Sequence, residues 1–587
     1  MSEAQINEWL RLDKNPETRA EIEQLVAAGN HDELKKRLAT RIEFGTAGLR
    51  ARMEAGFTRM NDLTVLQTSQ GLAKYLLANV PDAASKGVVI GHDHRHHSTN
   101  FAKLTAAAFI TAGIRVWYYH NYIHTPLVPY TVKRLKAAAG IMITASHNPK
   151  DDNGYKVYWE NACQIIPPHD SGIASTIEQH LEPWVWDYDL VDTSDLAQEP
   201  EGIIDQYFEE LAQLSQFRAD NEAASLKFVY TAMHGVGTPF ARRAFDVYGL
   251  KPFIVVPEQI EPDPDFPTVA FPNPEEGKGS LALSIRTADE HGATLIVAND
   301  PDADRLAIAE KYKGEWRLLT GNQIGSVLGA ACLEKARERG DDVSKIAMVA
   351  STVSSKMLAR MAEVEGFRFE EALTGFKWIG NKSMDLEREG YKVVFAFEEA
   401  IGFTVGDMVK DKDGISALAF FAEWAVQLQK RGLTVHDYLE SLYAKYGYFV
   451  SDNSYFICND KEIINRVFKR IRYGSEVNDA AEYKYPTHIG GSKVVGIRDL
   501  TVGYDSTTPD HLPTLPVSSS SEMITFRLEN GTVFTIRTSG TEPKIKYYSE
   551  IRGETLEKAK AELSKTIDAI GEQLVDYQAN GLQWKRN

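Results

Sequence analysis

The sequence predicts an α/β protein built from three similar αβ domains followed by a smaller C-terminal α+β domain. Three observations carry that prediction. Short β-branched runs alternate with helical stretches, the pattern of βα units around a parallel sheet. The alternation occurs three times, first through residues 88–144, again through 227–298 and again through 324–428, with shared pattern rather than shared residues. The chain is 587 residues long, enough for roughly four domains at about 150 residues each. The expected divisions are 1–203, a helical segment with the first αβ domain, then 204–320, 321–445 and 446–587.

Taken in order, residues 7–38 read as charged amphipathic helix broken near Asn15-Pro16 and Gly29-Asn30. Val88-Val89-Ile90 is a strand ending at Gly91, followed by helix near 104–111 and strand at 114–118. Residues 126–135 then lead to a strand at 140–144. The second unit has strands at 227–231, 253–256 and 294–298, interrupted by a Pro-rich loop at 257–274. The third has strands at 346–350, 367–370 and 392–397, with helices at 324–337, 356–362 and 417–428. Beyond Tyr446 strands and loops mix, with a turn at Ser518-Ser519-Ser520-Ser521 and a closing helix over 556–577.

Composition bounds the function. Apolar residues at 43% and charged residues at 25% are the proportions of an ordinary globular protein, not of a disordered one. Lys plus Arg number 65 against 82 Asp plus Glu, a net charge of −17, which opposes attraction to nucleic acid or an anionic membrane but leaves room for a local basic pocket. The three cysteines, Cys163, Cys332 and Cys458, are far apart, so neither a disulfide framework nor a Cys-x-x-Cys zinc site is expected. No secretory leader and no run of about 18 apolar residues is present, so a cytoplasmic address is expected by default.

Four loops carry chemistry. Thr144-Ala145-Ser146-His147-Asn148-Pro149 follows a buried strand. Pro149 restricts Asn148 and ends regular structure, so Ser146 is presented on a tight loop at the strand's C-terminal edge, where open α/β sheets bind ligands. A nucleophile belongs there; an ordinary Ser/Asn/Pro turn is the alternative. Asp300-Pro301-Asp302-Ala303-Asp304-Arg305 places three carboxylates on alternate residues, a hard oxygen site suited to Mg²⁺ with Arg305 available for phosphate. An EF-hand fails because the sixth position is Arg305 and the twelfth Lys311; a solvated acidic turn is the plainer reading. Glu398 and Glu399, in Phe397-Glu398-Glu399-Ala400-Ile401-Gly402, suit vicinal sugar hydroxyls, or cap a helix. Arg537-Thr538-Ser539-Gly540-Thr541-Glu542-Pro543-Lys544 has the makings of a phosphate nest.

These loops, in this order, resemble the α-D-phosphohexomutase superfamily of phosphoglucomutases and phosphomannomutases. The resemblance begins at Phe44-Gly45-Thr46-Ala47-Gly48-Leu49-Arg50 and runs to the Arg537 loop. It implies domains with mixed sheets around a central cleft, one loop from each. It implies Ser146 as the phosphoserine, with Ser146, Asp300, Asp302 and Asp304 around one Mg²⁺ per subunit. Glu398 and Glu399 would read the sugar. Arg537, Ser539, Gly540, Thr541 and Lys544 would hold the non-reacting phosphate. Arg50 matches an active-site arginine, Lys156 a proposed general acid/base, and Thr374-Gly375-Phe376-Lys377 a sugar-binding stretch. Lys156 and His147 remain competing candidates for the proton. A sugar bisphosphate such as glucose 1,6-bisphosphate would prime the enzyme. The expected partners are sugar phosphates, with no nucleic acid and no membrane, and a monomer is the expected state.

Phe397 and Ala400 depart from the Gly-Glu-Glu-Ser of hexose-specific members, the former adding bulk and the latter removing a hydroxyl. With Asn153-Gly154-Tyr155-Lys156-Val157-Tyr158-Trp159 and Phe271-Pro272-Asn273-Pro274-Glu275-Glu276, the chain is similar to the eukaryotic phosphopentomutase (phosphoribomutase) branch. That implies interconversion of ribose or deoxyribose 1-phosphate and the 5-phosphate, with some phosphoglucomutase activity. Phosphoglucomutase and glucose-1,6-bisphosphate synthase are the alternatives. An aspartyl phosphatase at Asp300 leaves Ser146 without a role, and a sugar-phosphate sensor needs no nucleophile. His92, His94, His96 and His97 lie on one loop without a defined face and are not expected to bind metal. Asp93 and Arg95 are expected to brace the catalytic loop, and His234 to be structural.

Overall fold

The structure, a computed structural model, describes residues 3–45, 48–458, 460–474, 482–539 and 544–586. Contacts divide the chain into two compact units, Met1–Val349 with Gly375–His436, and Ala350–Thr374 with Asp437–Asn587.

The first unit opens on helices Glu3–Leu12, Pro16–Ala27 and His31–Leu38. The two breaks fall where the sequence places them and have local causes. Asn15 Oδ1 accepts from the Glu17 amide at 2.9 Å with Pro16 in the first turn, and Asn30 Oδ1 accepts from the Glu33 amide at 3.3 Å, so each helix starts on a side-chain cap. Trp9, Leu12, Ile22, Leu34 and Leu38 pack with Phe57 and Leu63 into a small core.

The first sheet runs, in spatial order, Gly48–Arg52, Asp152–Trp159, Ala139–Ile143, Val88–His92, Val116–Tyr118 and Ala197–Gln198. Its last four strands are parallel, as βα alternation requires, whereas Gly48–Arg52 and Asp152–Trp159 pair antiparallel. The sheet is therefore mixed rather than parallel throughout. Asp152–Trp159 is also antiparallel to Ala139–Ile143, because the chain returns hairpin-like straight after the Ser146 loop and leaves no room for a crossover helix. The second sheet repeats the plan: Ile254–Val255, Phe228–Thr231 and Leu295–Ala298 are parallel, and Ala307–Tyr312 and Glu315–Leu318 add antiparallel strands. In the third αβ region Lys392–Glu398 lies beside Gly402–Val405, paired antiparallel. In each region the chemistry-bearing loop follows the C-terminal end of a buried strand: Ala139–Ile143, Leu295–Ala298 and Lys392–Glu398.

The second unit contains an antiparallel sheet in the order His488–Ile489, Ser492–Asp499, Met523–Leu528, Thr532–Thr538, Lys544–Gly553, Tyr448–Ile457 and Gln583–Lys585. Helices Lys461–Tyr473 and Leu556–Ala569 belong to the same core, where Phe468 and Leu563 join Phe456, Ile524, Phe534 and Tyr547. The closing helix expected over 556–577 changes to π winding at Ile570–Val575.

Candidate active site

Ser146 stands on a turn that few residues adopt. Its φ is +54°, it is buried, and its amide donates to Thr144 Oγ1 at 2.9 Å. Ala303 in the carboxylate loop and Ile401 in the sugar loop also have left-handed φ, +54° and +51°. A non-glycine residue held there costs on the order of 1 kcal/mol or more, so all three loops are held by their surroundings rather than by local preference.

Arg95 supplies most of that constraint for the serine loop. Its guanidinium donates to the carbonyls of Ser146 (2.6 Å), Asn148 (2.7 Å), Pro149 (2.9 Å) and Asp152 (3.3 Å). Asp93 Oδ2 lies 3.3 Å from Arg95 Nε, and Asp93 Oδ1 accepts from Ser98 Oγ at 2.6 Å. Gly154 permits the neighbouring strand to approach, since a Cβ there would lie 2.5 Å from the Thr144 carbonyl oxygen. The side chains of His92, His94, His96 and His97 disperse. His94 packs on Tyr122 and Phe266, His96 meets Asp265 at 3.2 Å, and His97 stacks on Phe101. His234 bonds Thr268 Oγ1 at 2.7 Å.

Ser146 Oγ donates to Asp300 Oδ2 at 2.8 Å, and His147 Nδ1 lies 3.4 Å away. Asp300, Asp302 and Asp304 are all buried, and one oxygen from each falls within 4.8 Å of the others. Among the described residues this is the one group of three or more His, Cys, Asp or Glu side chains placed to hold a metal. Asp302 Oδ1 and Asp304 Oδ1 are buried without a hydrogen-bond partner. Two orphaned carboxylate oxygens in a water-poor site are costly unless a cation completes them, so the donor set fits Mg²⁺.

The other triad oxygens are already engaged. Lys156 Nζ lies 2.7 Å from Asp302 Oδ2 and 3.0 Å from Asp304 Oδ2, and Thr125 Oγ1 donates to Asp302 Oδ2 at 2.6 Å. Lys412 Nζ stands 3.5 Å from both Asp304 Oδ2 and Asp411 Oδ1, while Tyr158 donates its hydroxyl to Asp411 Oδ2 at 2.6 Å. Thr125, Tyr158, Asp411 and Lys412 escaped the sequence reading. The run Lys410-Asp411-Lys412-Asp413-Gly414 looks like a charged turn in isolation, and Thr125 is one threonine in a loop 177 residues from its partner.

The fields sort the ionisable groups. Burial opposes ionisation of Asp302 and Asp304, but the Lys156 ammonium outweighs it and holds both below the usual carboxylate range. Burial and those same two carboxylates push Asp300 well up. Burial also works against the Lys156 charge, yet Asp302 and Asp304 raise its pKa overall. His147 is driven well below the ordinary imidazole value by burial and by Arg305 and Arg50, so it is neutral. Arg50 Nη1 donates to Asn148 Oδ1 at 3.1 Å.

The sugar loop joins the carboxylate loop through backbone. Arg305 bridges Gly402, and the Leu306 amide donates to the Ile401 carbonyl at 3.1 Å. Glu398 and Glu399 are buried at the end of their strand, and burial raises the Glu398 carboxyl. Phe397 corrects an expectation: its ring is fully buried, clustered with the Phe395 and Phe403 rings and against Gly325. Strand alternation turns it into the core while Glu398 faces the other way, so its bulk is not in the sugar site. Lys377 is the second residue of helix Phe376–Arg388, whose N-cap Gly375 has a φ of +105°.

In the second unit Thr374 Oγ1 is buried without a partner. Arg537 donates to the Tyr548 hydroxyl at 3.0 Å and its Nε is buried and unpaired. The Ser539 amide donates to the Lys544 carbonyl at 3.0 Å, and Lys544 Nζ lies 4.1 Å over the Tyr455 ring. Gly540 and Thr541, with Glu542 and Pro543, lie outside the described residues, as do Thr46 and Ala47.

Comparison with known proteins places this geometry. Residues 41–183, 205–314 and 320–446 match the descriptions of phosphoglucomutase/phosphomannomutase alpha/beta/alpha domains I, II and III. A phosphopentomutase of Mus musculus is 49% identical over 98% of this chain and 95% of its own length. A glucose 1,6-bisphosphate synthase of Homo sapiens is 47% identical over 99% of this chain and 95% of its own. Among solved structures, the open form of the exocytosis-sensitive phosphoprotein pp63/parafusin, a phosphoglucomutase from Paramecium, superposes with a TM-score of 0.66 at 18% identity, covering 92% of this chain and 96% of that one. With a buried carboxylate triad facing a strained serine and three matched domains in order, the chain belongs to the phosphoglucomutase/phosphomannomutase family of the α-D-phosphohexomutase superfamily.

Proposed function

We propose that the chain is a phosphopentomutase, an isomerase interconverting ribose or deoxyribose 1-phosphate and the 5-phosphate through a phosphoserine and a sugar bisphosphate. One observation carries the chemistry: Ser146 Oγ sits 2.8 Å from Asp300 in a triad where Asp302 Oδ1 and Asp304 Oδ1 are buried without a hydrogen-bond partner. The pentose preference is supported by likeness along nearly the whole chain to a protein named phosphopentomutase.

In this reading Asp300, Asp302, Asp304 and Ser146 hold Mg²⁺, which neutralises charge on the transferring phosphoryl group when bound. The chain's own residues do the rest. Ser146, as phosphoserine, donates its phosphoryl group to a sugar hydroxyl, a step that depends on alignment and charge stabilisation. Neutral His147 and Lys156, charged against Asp302 and Asp304, are the two groups that would exchange the hydroxyl proton. Arg50 and Arg305 face phosphate oxygens. Glu398, Glu399 and the stretch Thr374, Gly375 and Lys377 bind sugar hydroxyls. Arg537, Ser539, Gly540, Thr541 and Lys544 hold the phosphate that is not transferred. Arg95 keeps the serine loop rigid so that water gains no attack line. Glucose 1,6-bisphosphate or a pentose bisphosphate primes Ser146. The divisions 1–203, 204–320, 321–445 and 446–587 then correspond to phosphoserine, metal, sugar and phosphate-binding domains of a cytoplasmic monomer. Among the described residues no helix is long and apolar enough to cross a membrane.

The test is a panel of pentose and hexose 1-phosphates, run with and without a bisphosphate primer. A higher kcat/KM for ribose 1-phosphate than for glucose 1-phosphate is expected; the reverse order sinks the pentose assignment. The likeness to a glucose 1,6-bisphosphate synthase favours a second reading, in which 1,3-bisphosphoglycerate is the phosphoryl donor. Formation of glucose 1,6-bisphosphate from that donor, faster than pentose turnover, would select it.

A further inference from the structure

Lys377 is an unusual lysine, and two features of its surroundings act in the same direction. It is 8% exposed, and among the described residues no carboxylate approaches its Nζ closely enough to form an ion pair. It occupies the second position of helix Phe376–Arg388, a helix of 13 residues. There the unpaired amides and the positive end of the helix dipole disfavour a cation. Its Nζ lies 5.1 Å from the Trp378 ring centroid, a cation–π contact that offsets part of the lost hydration but supplies no counter-charge. The charged group that bears on it is Asp170, and only at long range; burial dominates and pulls the amine down to about 8. By contrast the buried lysines beside the triad have counter-charges: Lys156 has Asp302 and Asp304, and Lys412 has Asp304 and Asp411.

We infer that Lys377 is a nucleophilic amine that captures phosphorylated aldehydes covalently, as an imine at Nζ. The inference joins that environment to the chemistry of the ligands proposed above, and so rests in part on that reading. A sugar 1-phosphate has its anomeric carbon blocked by the phosphate ester and offers no aldehyde. A pentose 5-phosphate has a free anomeric carbon and opens to an aldehyde. The two sides of the proposed equilibrium therefore differ in one functional group, and a buried amine with an enlarged free-base share within the sugar-binding stretch distinguishes them.

The step balances without an added redox partner. The Nζ lone pair attacks the aldehyde carbon, a C–N bond forms, and the carbonyl oxygen takes a proton to give a carbinolamine. Loss of that oxygen as water gives the imine, and hydrolysis reverses the sequence. Accumulated 5-phosphate would thus occupy Lys377 reversibly and slow turnover, a form of product inhibition that 1-phosphates cannot exert.

Pyridoxal 5′-phosphate, a phosphorylated aldehyde, is the probe. The full-length protein is incubated with it at pH 7, reduced with cyanoborohydride, whose hydride converts the imine to a stable secondary amine, and digested for peptide mass spectrometry. Lys377 should label at least about tenfold faster than the exposed Lys251, because a lower amine pKa leaves far more free base at that pH. Labelling at Lys251 and other exposed lysines with Lys377 spared would overturn the proposal. Lys377→Arg keeps the charge but has no amine, and should abolish the fast adduct; Lys377→Met provides a second variant if arginine disturbs the fold. A fast adduct that persists on another residue in both variants also overturns it. A second arm replaces the probe with ribose 5-phosphate and, separately, ribose 1-phosphate: an adduct is expected from the first alone. If the substrate panel refutes pentose mutase activity while pyridoxal phosphate still labels Lys377 selectively, the reactive amine stands and only its link to pentose phosphates falls.

Discussion

Replacing Thr125 by valine removes one hydroxyl and leaves the side-chain shape almost unchanged. That hydroxyl donates to Asp302 Oδ2 at 2.6 Å in a fully buried setting, and the Thr125 amide donates to the Asp302 carbonyl at 2.9 Å. Hydrogen bonds to a charged group are worth about 1.5–3 kcal/mol, which corresponds to roughly 10- to 150-fold in an equilibrium constant. Asp302 Oδ2 keeps its contact with Lys156 Nζ at 2.7 Å, and the backbone bond survives, so the lower end applies. Thr125→Val should weaken Mg²⁺ binding about tenfold, the range typical of groups that orient metal ligands. Calorimetric titration of Mg²⁺ into each protein measures this independently of turnover. Thr125→Ser retains the donor and should restore affinity. If valine leaves Mg²⁺ affinity within about twofold of wild type, Thr125 does not orient Asp302 and the inferred role of that contact is wrong.

Ser146→Ala should eliminate the phosphoenzyme and lower turnover by roughly a thousandfold or more, since the nucleophile has no substitute; wild-type rates in that variant would exclude a phosphoserine mechanism. Asp13 is 1% exposed, and burial raises its carboxyl from 3.8 to about 6 despite bonds from Thr18 and the Asn15 amide. The folded state thus binds this proton more tightly than the unfolded chain, so the stability linked to it is present below about pH 4 and lost as pH rises through 6. Asp13→Asn should remove about 2 kcal/mol of that pH dependence, read by urea unfolding at pH 4.5 and 7.5; an identical pH slope in both proteins would contradict it. Lys335 and Glu423 form a buried ion pair in which Glu423 also accepts from Ser215, the Phe217 amide and Asn221. Lys335→Met leaves that carboxylate without its counter-charge and should cost about 3–5 kcal/mol, whereas adding Glu423→Leu should recover part of it; a thermal melt unchanged in the single variant would show that the pair adds no net stability.

What could be read from the chain alone was whatever depends on neighbours in sequence. Asn15-Pro16 and Asn30 stop and start helices through contacts two or three residues long, and β-branched runs marked the strands that end at Ser146, Asp300 and Glu398. Alternate carboxylates at 300, 302 and 304 were visible as a metal-type set for the same reason. Tertiary structure decided the rest, because those matters turn on groups far apart in the chain. Which residues brace the triad depends on Thr125, Lys156 and Lys412 arriving from other strands and loops. Whether Phe397 faces sugar or core depended on which side of its strand was buried. Protonation depended on burial and on charges brought in from elsewhere, which hold His147 neutral and Lys156 charged and, among the described residues, give Lys377 no ion-pair partner. Local pattern fixes which chemical groups are present, whereas distance and desolvation, set only by the folded chain, fix what each group does.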